Sequence, residues 1–182
     1  MIAKISQLLH KLSLKCNKIN FTSSKNISIG KGFRLGQYTT TLLHPTSKVQ
    51  INDNVDIRNF FNLTTGKQAE VIIHNKVFFN NNCSINCLKK IEIGENTLFG
   101  ENVRLYDHNH KYDSIQVYHQ EFTTDSITIG KNCWLGSNVV VLKGVTIGNN
   151  CVIGAGCVVY KDVPKNTILI NNQDQIEKSN IL

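Results

Sequence analysis

Apolar residues recur at every sixth position along the C-terminal half of the chain. Six consecutive units each open with an aliphatic residue, at Ile129, Leu135, Val141, Ile147, Ile153 and Val159. The fifth residue of each unit is small or branched, at Cys133, Val139, Val145, Cys151, Cys157 and Val163. An amphipathic helix repeats every ~3.6 residues and a half-buried strand every ~2, so the period indicates neither. It predicts coils of three short strands that stack to bury their aliphatic positions.

The same period continues toward the N-terminus, with insertions. Six coil starts can be recognised, at Ile29, Ile51, Ile73, Ile93, Ile129 and Ile147. The insertions follow the third unit of the earlier coils, which places them at one corner of a three-sided prism. Gly and Asn are frequent where the chain must turn, and both accept the positive φ that a tight corner requires. The sequence therefore predicts an all-β parallel β-helix of about six coils, with a loop protruding near residues 109–126.

Both ends of the chain depart from the repeat. In residues 1–26, apolar positions such as Ile5, Leu8, Leu9 and Leu12 have roughly helical spacing, with lysines on the other face. This predicts a short N-terminal helix, and two interpretations stay open: a cap over the open end of the coils, or contact with a membrane surface. The β-helix is assigned to residues 27–164, and residues 165–182 form a polar tail in which we expect a short strand or loop and then a helix.

Composition narrows the class of protein. The chain has 182 residues, 41% of them hydrophobic and 18% charged, which suits one ordinary globular domain. The formal net charge of +7 would suit nucleic acid, an anionic membrane or a polyanionic cofactor. No basic run exceeds two residues, and no basic stripe carries interleaved aromatic residues, so nucleic-acid binding is not expected.

The six cysteines and the N-terminus bear on the compartment. Lys4, Gln7 and Lys11 interrupt the apolar stretch that a signal peptide would need, so we expect a cytoplasmic protein with reduced thiols. Four cysteines fall at the small fifth place of a unit, which favours packing inside the coils: Cys83, Cys133, Cys151 and Cys157. Cys83 and Cys87 have the spacing of half a metal site but lack a second pair, and no metal is predicted.

Chemistry is suggested where the regular repeat stops, in the segment from Tyr106 to His110. Transfer of an acetyl group from a thioester to an alcohol needs a general base, and histidine suits this near neutral pH. A backbone N–H at a coil corner can stabilise the oxyanion. His108 or His110, beside a loop able to shape an acceptor pocket, fits this requirement. The alternative is a pair of solvated loop histidines.

The segment DHNH, followed by a loop and the run ITIGKNCWLGSNVVVLKGVTIGNNCVIGAGCVVYKDVP, closely resembles the hexapeptide-repeat O-acetyltransferases. The resemblance is closest to the acetyltransferases of capsule and O-antigen clusters and to the galactoside and maltose acetyltransferases. It covers about residues 73–164 closely and the coils from residue 27 more loosely. It implies a left-handed β-helix, against the usual right-handed crossover rule. It also implies a homotrimer that binds acetyl-CoA between neighbouring subunits.

The resemblance also implies roles for single residues at the reacting end of the site. The catalytic histidine of the family falls on His108, with His110 as the alternative. Trp134 matches a tryptophan that lines the site beside the pantetheine arm and the acceptor. Asn80 matches an asparagine that contacts the acceptor or the oxyanion, and Asn82 lies close enough to substitute for it. Both asparagines are also typical of a plain coil corner.

For the cofactor, Ser137 and Ala155 match positions whose backbone contacts CoA, and Lys161 matches a lysine near the CoA phosphates. Tyr160 stands where threonine is usual. The tail lacks the family's Gly-x-Pro turn and offers Lys178 as the only basic substitute, so the distal CoA contacts are not assigned. Asp107 precedes His108, but adjacent strand residues point to opposite faces, so no Asp–His pair is predicted.

These inferences predict an acetyl-CoA-dependent O-acetyltransferase that modifies a sugar hydroxyl, in bacterial surface polysaccharide such as capsule or O-antigen. It would act in the cytoplasm or at the inner face of the membrane. N-acetylation of an amino sugar and a non-catalytic β-helix are the alternatives. A zinc enzyme of the γ-type carbonic anhydrase class is disfavoured, because the spacing of His74, His108, His110 and His119 does not resemble its ligand set.

Overall fold

A computed structural model describes residue 21 and residues 24–172 of the chain. These residues form a three-sided prism of parallel strands, as the six-residue period predicts. The predicted N-terminal helix lies almost entirely outside the described residues, as does the tail beyond residue 172. Among the described residues, no helix is long and apolar enough to cross a membrane.

Each complete coil contributes three strands in sequence. The strands of coils 1 to 3 are β1 (Ile27–Ile29), β2 (Arg34–Leu35), β3 (Thr40–Leu43), β4 (Lys48–Ile51), β5 (Asp56–Ile57), β6 (Asn62–Thr65), β7 (Glu70–Ile73), β8 (Phe78–Phe79) and β9 (Ser84–Cys87). Coil 4 contains β10 (Lys90–Ile93), β11 (Leu98–Phe99) and β12 (Arg104–Tyr106), and the hairpin β13 (His108–Tyr112) and β14 (Val117–Thr124) follows. The remaining strands are β15 (Ile127–Ile129), β16 (Trp134–Leu135), β17 (Val140–Val141), β18 (Thr146–Ile147), β19 (Val152–Ile153), β20 (Val158–Val159) and β21 (Ile168–Leu169).

The first, second and third strands of successive coils make three parallel sheets, here called A, B and C. The register of sheet A pairs the coil-start isoleucines in one row, from Ile29 in coil 1 to Ile147 in coil 6. The six predicted coil starts are therefore confirmed. Their side chains, like the fifth-place residues, point into the prism and form one core. Full burial of each such side chain stabilises the fold by about 1.5–3 kcal/mol.

The cysteines at the fifth place of a unit are buried in this core, which confirms their interpretation as packing residues. Cys83, Cys133, Cys151 and Cys157 are buried and unpaired, and so is Cys87. Burial raises the pKa of the Cys83 thiol to about 11. The Cys83 thiol is therefore protonated near neutral pH.

The corners of the prism are named after the sheets they join: A–B, B–C and C–A. At most corners one residue has positive φ, and in the later coils it is Asn or Gly, as at Asn132, Asn138 and Gly144 of coil 5. Asn accepts this conformation at lower cost than other non-glycine residues. The corners explain the recurrence of Asn and Gly in the sequence.

Insertions lie at the C–A corner, as predicted. The predicted loop at residues 109–126 is mostly the antiparallel hairpin of β13 and β14, which leaves the prism between coils 4 and 5. Parallel pairing also continues beyond residue 164, because β21 adds to β19 in sheet B and Val163 pairs with Ile147 in sheet A. The fold is a parallel β-helix, as the period predicts, and it is left-handed, as the resemblance to the hexapeptide-repeat acetyltransferases implies.

Candidate active site

His108 lies at the C–A corner, where the chain leaves coil 4 and enters the hairpin. Asp107, directly before it, is fully buried (0% exposed). The Nδ1 atom of His108 is 3.1 Å from Oδ1 of Asp107. The structure therefore shows an Asp–His pair that the sequence analysis did not predict. Strand alternation does not apply here, because Asp107 lies between β12 and β13 rather than inside a strand.

The Asp107 carboxylate is held by groups of the preceding coil. The backbone N–H groups of Leu88 and Lys89 each donate to one of its oxygens, both at 2.7 Å. The Cys87 thiol donates to Oδ2 at 3.3 Å. Burial, and then the nearby Asp107 charge, raise the pKa of Cys87, so this thiol stays a donor. A carboxylate surrounded by donors accepts a hydrogen bond from the Nδ1–H group of His108, which leaves Nε2 as the basic atom of the ring.

Aromatic side chains surround the His108 ring. Phe122 of β14 contacts it edge-on with ring centroids 5.3 Å apart. The ring centroid of Tyr106, at the end of β12, lies 6.5 Å from that of His108. The His108 side chain is only 17% exposed. His110 differs, because it is exposed on the hairpin and its Nδ1 lies 3.2 Å from the Tyr118 carbonyl. The description of two solvated loop histidines therefore fits His110 and does not fit His108.

Trp134 lies on sheet B, with its side chain on the outer surface. It is 55% exposed, whereas the next residue, Leu135, is buried. In register, Trp134 lies between Leu98 of coil 4 and Val152 of coil 6. The outer face of sheet B thus carries an apolar row centred on the tryptophan, a surface against which an extended ligand chain or another protein surface can pack.

Four of the predicted site residues lie at the B–C corner: Asn80, Asn82, Ser137 and Ala155. The Asn80 side-chain oxygen accepts hydrogen bonds from Arg58 at 3.3 Å and from a neighbouring backbone N–H at 2.9 Å. Asn82 holds the positive-φ position of its corner. The Ser137 hydroxyl accepts from the Glu101 N–H at 3.2 Å. Asn80 and Asn82 belong to coil 3, and Ser137 and Ala155 belong to coils 5 and 6.

The basic residue predicted for the cofactor lies at the C–A corner of coil 6. Lys161 places its Nζ 5.6 Å from the centre of the Tyr160 ring, and both residues are exposed. The corner is two coils beyond His108, or about 10 Å along the axis at the usual strand spacing. A flexible cation at this position can pair with a phosphate group.

The predicted site residues fall into two groups around the prism. His108, His110, Tyr160 and Lys161 lie at the C–A corner, whereas Trp134 and the B–C corner residues border sheet B. In a triangular cross-section, the C–A corner is the vertex opposite sheet B. The core therefore separates Trp134 from His108, and one chain cannot bring these two side chains together.

Sequence reasoning missed the residues that hold His108. Asp107 stands next to it in the sequence, but Cys87, Leu88 and Lys89 belong to the previous coil. The available signal was an acidic residue at the last position before an insertion, where a coil corner can bury it. No group of three or more potential metal ligands occurs in the described part of the chain.

The regular repeats also match a known protein family. Residues 126–161 match the profile of the bacterial transferase hexapeptide family, described as six repeats. WbbJ of Escherichia coli (strain K12), which carries the name of a lipopolysaccharide biosynthesis O-acetyl transferase, is 27% identical over 160 residues, 83% of this chain and 66% of that protein. Nodulation protein L of Rhizobium meliloti (strain 1021) is 39% identical over 104 residues, 57% of this chain and 52% of that protein. The matches thus span between about half and two thirds of the length of these relatives.

Solved structures share the fold. The hexapeptide-repeat acetyltransferase VCA0836 of Vibrio cholerae superposes with a TM-score of 0.55 at 25% identity, over 82% of this chain and 72% of that one. It has also been solved in complex with acetyl-CoA. AntD of Bacillus cereus, an N-acyltransferase solved with a dTDP-amino sugar and coenzyme A, gives a TM-score of 0.74 at 15% identity, over 85% of this chain and 84% of that one. The likeness to AntD is one of fold.

Proposed function

Because the chain belongs to the hexapeptide-repeat transferase family, we propose that it transfers an acetyl group from acetyl-CoA to a hydroxyl group of a saccharide. The observation that carries the proposal is the His108–Asp107 pair. A buried carboxylate holds one ring nitrogen, at the edge of a rigid scaffold and beside a hairpin that can shape an acceptor site. This is the arrangement that a general base requires.

In the proposed reaction, Nε2 of His108 removes the proton of the acceptor hydroxyl as its oxygen attacks the thioester carbonyl carbon. The carbon–sulfur bond then breaks, and the imidazolium returns the proton to the departing thiolate of CoA. Asp107 fixes the orientation of the ring and stabilises its positive charge between the two steps. Backbone N–H groups at a coil corner are the candidates for stabilising the oxyanion.

For the donor, we propose a groove that runs toward the C-terminal coils. Trp134 would pack against the pantetheine arm, and the backbone at Ser137 and Ala155 would contact it further along. Lys161, beside Tyr160, would pair with the phosphates. The acetyl-CoA complex of VCA0836 supports a donor of this kind. The proposed chemistry needs no metal ion.

We extend the proposal to a homotrimer with the donor bound between subunits. The separation of His108 from Trp134 by the core supports it, because only two copies can place these residues around one substrate. The exposed apolar row on sheet B also supports it, since the C–A corner of a second copy would cover that row.

For the acceptor, we propose a saccharide of the bacterial surface, such as a capsule or O-antigen unit, with Asn80, Asn82 and His110 lining its site. The similarity to WbbJ supports O-acetylation. N-acetylation of an amino sugar is the second candidate, favoured by the shared fold of the N-acyltransferase AntD. We propose a cytoplasmic location, supported by a donor that is made there and by five unpaired cysteines among the described residues. Membrane contact through residues 1–26 remains a prediction, because most of these residues lie outside the described part of the chain.

The test is release of free CoA thiol from acetyl-CoA, measured with a panel of neutral sugars, acidic sugars and amino sugars. We expect turnover with at least one saccharide, and His108→Ala should lower kcat by at least ~10²-fold, the usual contribution of a general base. His110→Ala is the matched control and should retain most of the activity. Loss of activity in His110→Ala with retention in His108→Ala would exchange the two roles. A protein that binds acetyl-CoA without turnover on any acceptor would contradict the proposal.

A further inference from the structure

Two aromatic side chains break the pattern of the B–C corner. In register, its positive-φ position is occupied by Asn82, Asn102, Asn138 and Gly156 in coils 3 to 6. In coils 1 and 2 the same position holds Tyr38 and Phe60, with φ of 56° and 61°. Bulky residues are rare in this region of φ, because their side chains crowd the backbone. At a position that favours Asn or Gly, coils 1 and 2 thus have aromatic residues with a strained backbone conformation.

The strain is not offset by burial. Tyr38 is 60% exposed and Phe60 is 47% exposed. The two rings stack on each other with centroids 4.9 Å apart and an interplanar angle of 11°. Each ring covers part of the other and presents its remaining surface to solvent. Strained residues that the local packing does not require are typical of binding sites.

The position of this pair along the axis relates it to the proposed site. Ala155 and Lys161 lie in coil 6, Ser137 and Trp134 in coil 5, His108 in coil 4, and Asn80 and Asn82 in coil 3. Phe60 and Tyr38 continue the B–C corner of Asn80 and Asn82 into coils 2 and 1. Along the axis, the donor residues thus lie on one side of the level of His108 and the aromatic pair on the other, about 10–15 Å from that level at one strand spacing per coil.

Arg58 lies at the same corner, two residues before Phe60, and contacts one of the proposed acceptor residues. Its guanidinium donates to Asn80 at 3.3 Å and lies 5.1 Å from the centre of the Phe78 ring on sheet B. The corner therefore presents a ring in coil 1, a ring and a guanidinium in coil 2, and an amide in coil 3. These groups suit a saccharide, because the C–H face of a pyranose ring packs on an aromatic ring and its hydroxyls hydrogen-bond to guanidinium and amide groups. A lone nucleobase would stack on one ring and leave the guanidinium and amide groups unused.

We propose that Tyr38 and Phe60 form a stacking platform for a sugar ring of the acceptor beyond the residue that is acetylated, so that the acceptor is an oligosaccharide or a longer glycan. This inference rests on the proposed function, because it uses the acceptor side of that site. It assigns to the first two coils a role in substrate length selection.

The test compares the double variant Tyr38→Asn/Phe60→Asn with the wild type. Asn is the residue that this corner holds in coils 3 to 5, so the variant should fold, with a Tm equal to or above that of the wild type. Lys76→Asn is the matched control, because it relieves positive φ at the A–B corner without removing a ring. Maltose-, cellulose- and chitin-derived saccharides of one, two and four residues serve as probes, together with any acceptor that gives turnover.

In the double variant, we expect kcat/KM for the longest accepted saccharide to fall ~10-fold, with no change for the corresponding monosaccharide. Lys76→Asn should behave as the wild type on both. Four results would overturn the proposal: no loss on the long saccharide, an equal loss on the monosaccharide, a marked fall in Tm, or dissociation of the oligomer in light scattering. Inhibition of the wild type by free nucleotides that the double variant escapes would assign the platform to a nucleobase and would also overturn it.

If the wild type shows no turnover on any acceptor, the proposed function fails, and the platform is tested separately. Saturation-transfer NMR then measures binding of the four-residue saccharides without acetyl-CoA. Binding by the wild type and loss in the double variant would support the platform without the reaction. Equal binding, or none by the wild type, would overturn it.

Discussion

At the scale of single residues, the chemistry of the C–A corner depends on Asp107. It has no exposed surface, and its oxygens accept from two backbone N–H groups, a thiol and the His108 ring. A carboxylate can accept from all four donors, whereas an amide must turn one NH₂ group toward a donor. The same residue therefore contributes to the stability of the corner and to the tautomer of His108.

We predict that Asp107→Asn lowers kcat by at least ~10²-fold, since the ring is then held in the wrong tautomer, with little change in KM for acetyl-CoA. It should also destabilise the fold by about 1–3 kcal/mol, because one donor loses its acceptor. Steady-state CoA release and denaturant unfolding measure the two effects.

Asp125→Asn is the control for this prediction. It removes an exposed carboxylate at the same corner, one paired with Lys89 at 2.9 Å, and it should leave kcat near the wild-type value. In the His108→Ala background, Asp107→Asn should have no further effect on the residual rate. An additional fall there would mean that Asp107 acts independently of His108.

At the scale of strands and corners, the A–B corner shows how a side chain can support its own backbone. Asn96, Asn132, Asn150 and Asn166 form a ladder in which each amide donates to the next coil, at 3.1, 3.2 and 3.0 Å. All four have positive φ. The asparagines thus serve the turn by conformation and the stacking of coils by hydrogen bonding.

Substitutions of Asn150 can distinguish the contribution of the backbone conformation from that of the hydrogen bonds. We expect Asn150→Ala to destabilise the protein by about 1–2 kcal/mol, because alanine pays the full cost of positive φ. Asn150→Gly loses the same ladder bonds but accepts the φ, so it should cost less. Urea unfolding of the three proteins gives the comparison. Equal destabilisation by Gly and Ala would show that the ladder, and not the backbone conformation, dominates.

The coils were predictable from the sequence because a strict period has one structural solution. Ile29 to Ile147 could be placed in one row before any coordinates, and the fifth-place cysteines could be placed inside. The hairpin of β13 and β14 was predicted only as a loop, because its residues do not alternate clearly between apolar and polar. The Asp107–His108 contact was missed for a related reason: the alternation rule was applied at a corner, where the chain is no longer a strand.

At the scale of the whole molecule, the site residues are ordered along the axis and divided around it. The axial order of the site residues, from coil 6 to coil 3, could be predicted from the sequence, because each six-residue unit belongs to a known coil. The division between the C–A corner and sheet B follows from the triangular cross-section and the strand assignments. Under the proposed function, one complete site therefore depends on two copies of the chain.

The most direct test of this account is co-expression of His108→Ala with Trp134→Ala, followed by the CoA-release assay on the mixed oligomers. Each variant alone should be inactive or nearly so. In a randomly mixed cyclic trimer, about a quarter of the sites would receive the intact histidine from one chain and the intact tryptophan from the next. We predict recovery of about a quarter of the wild-type activity. Activity that stays at the level of the separate variants, in oligomers shown to be mixed, would contradict a site shared between subunits.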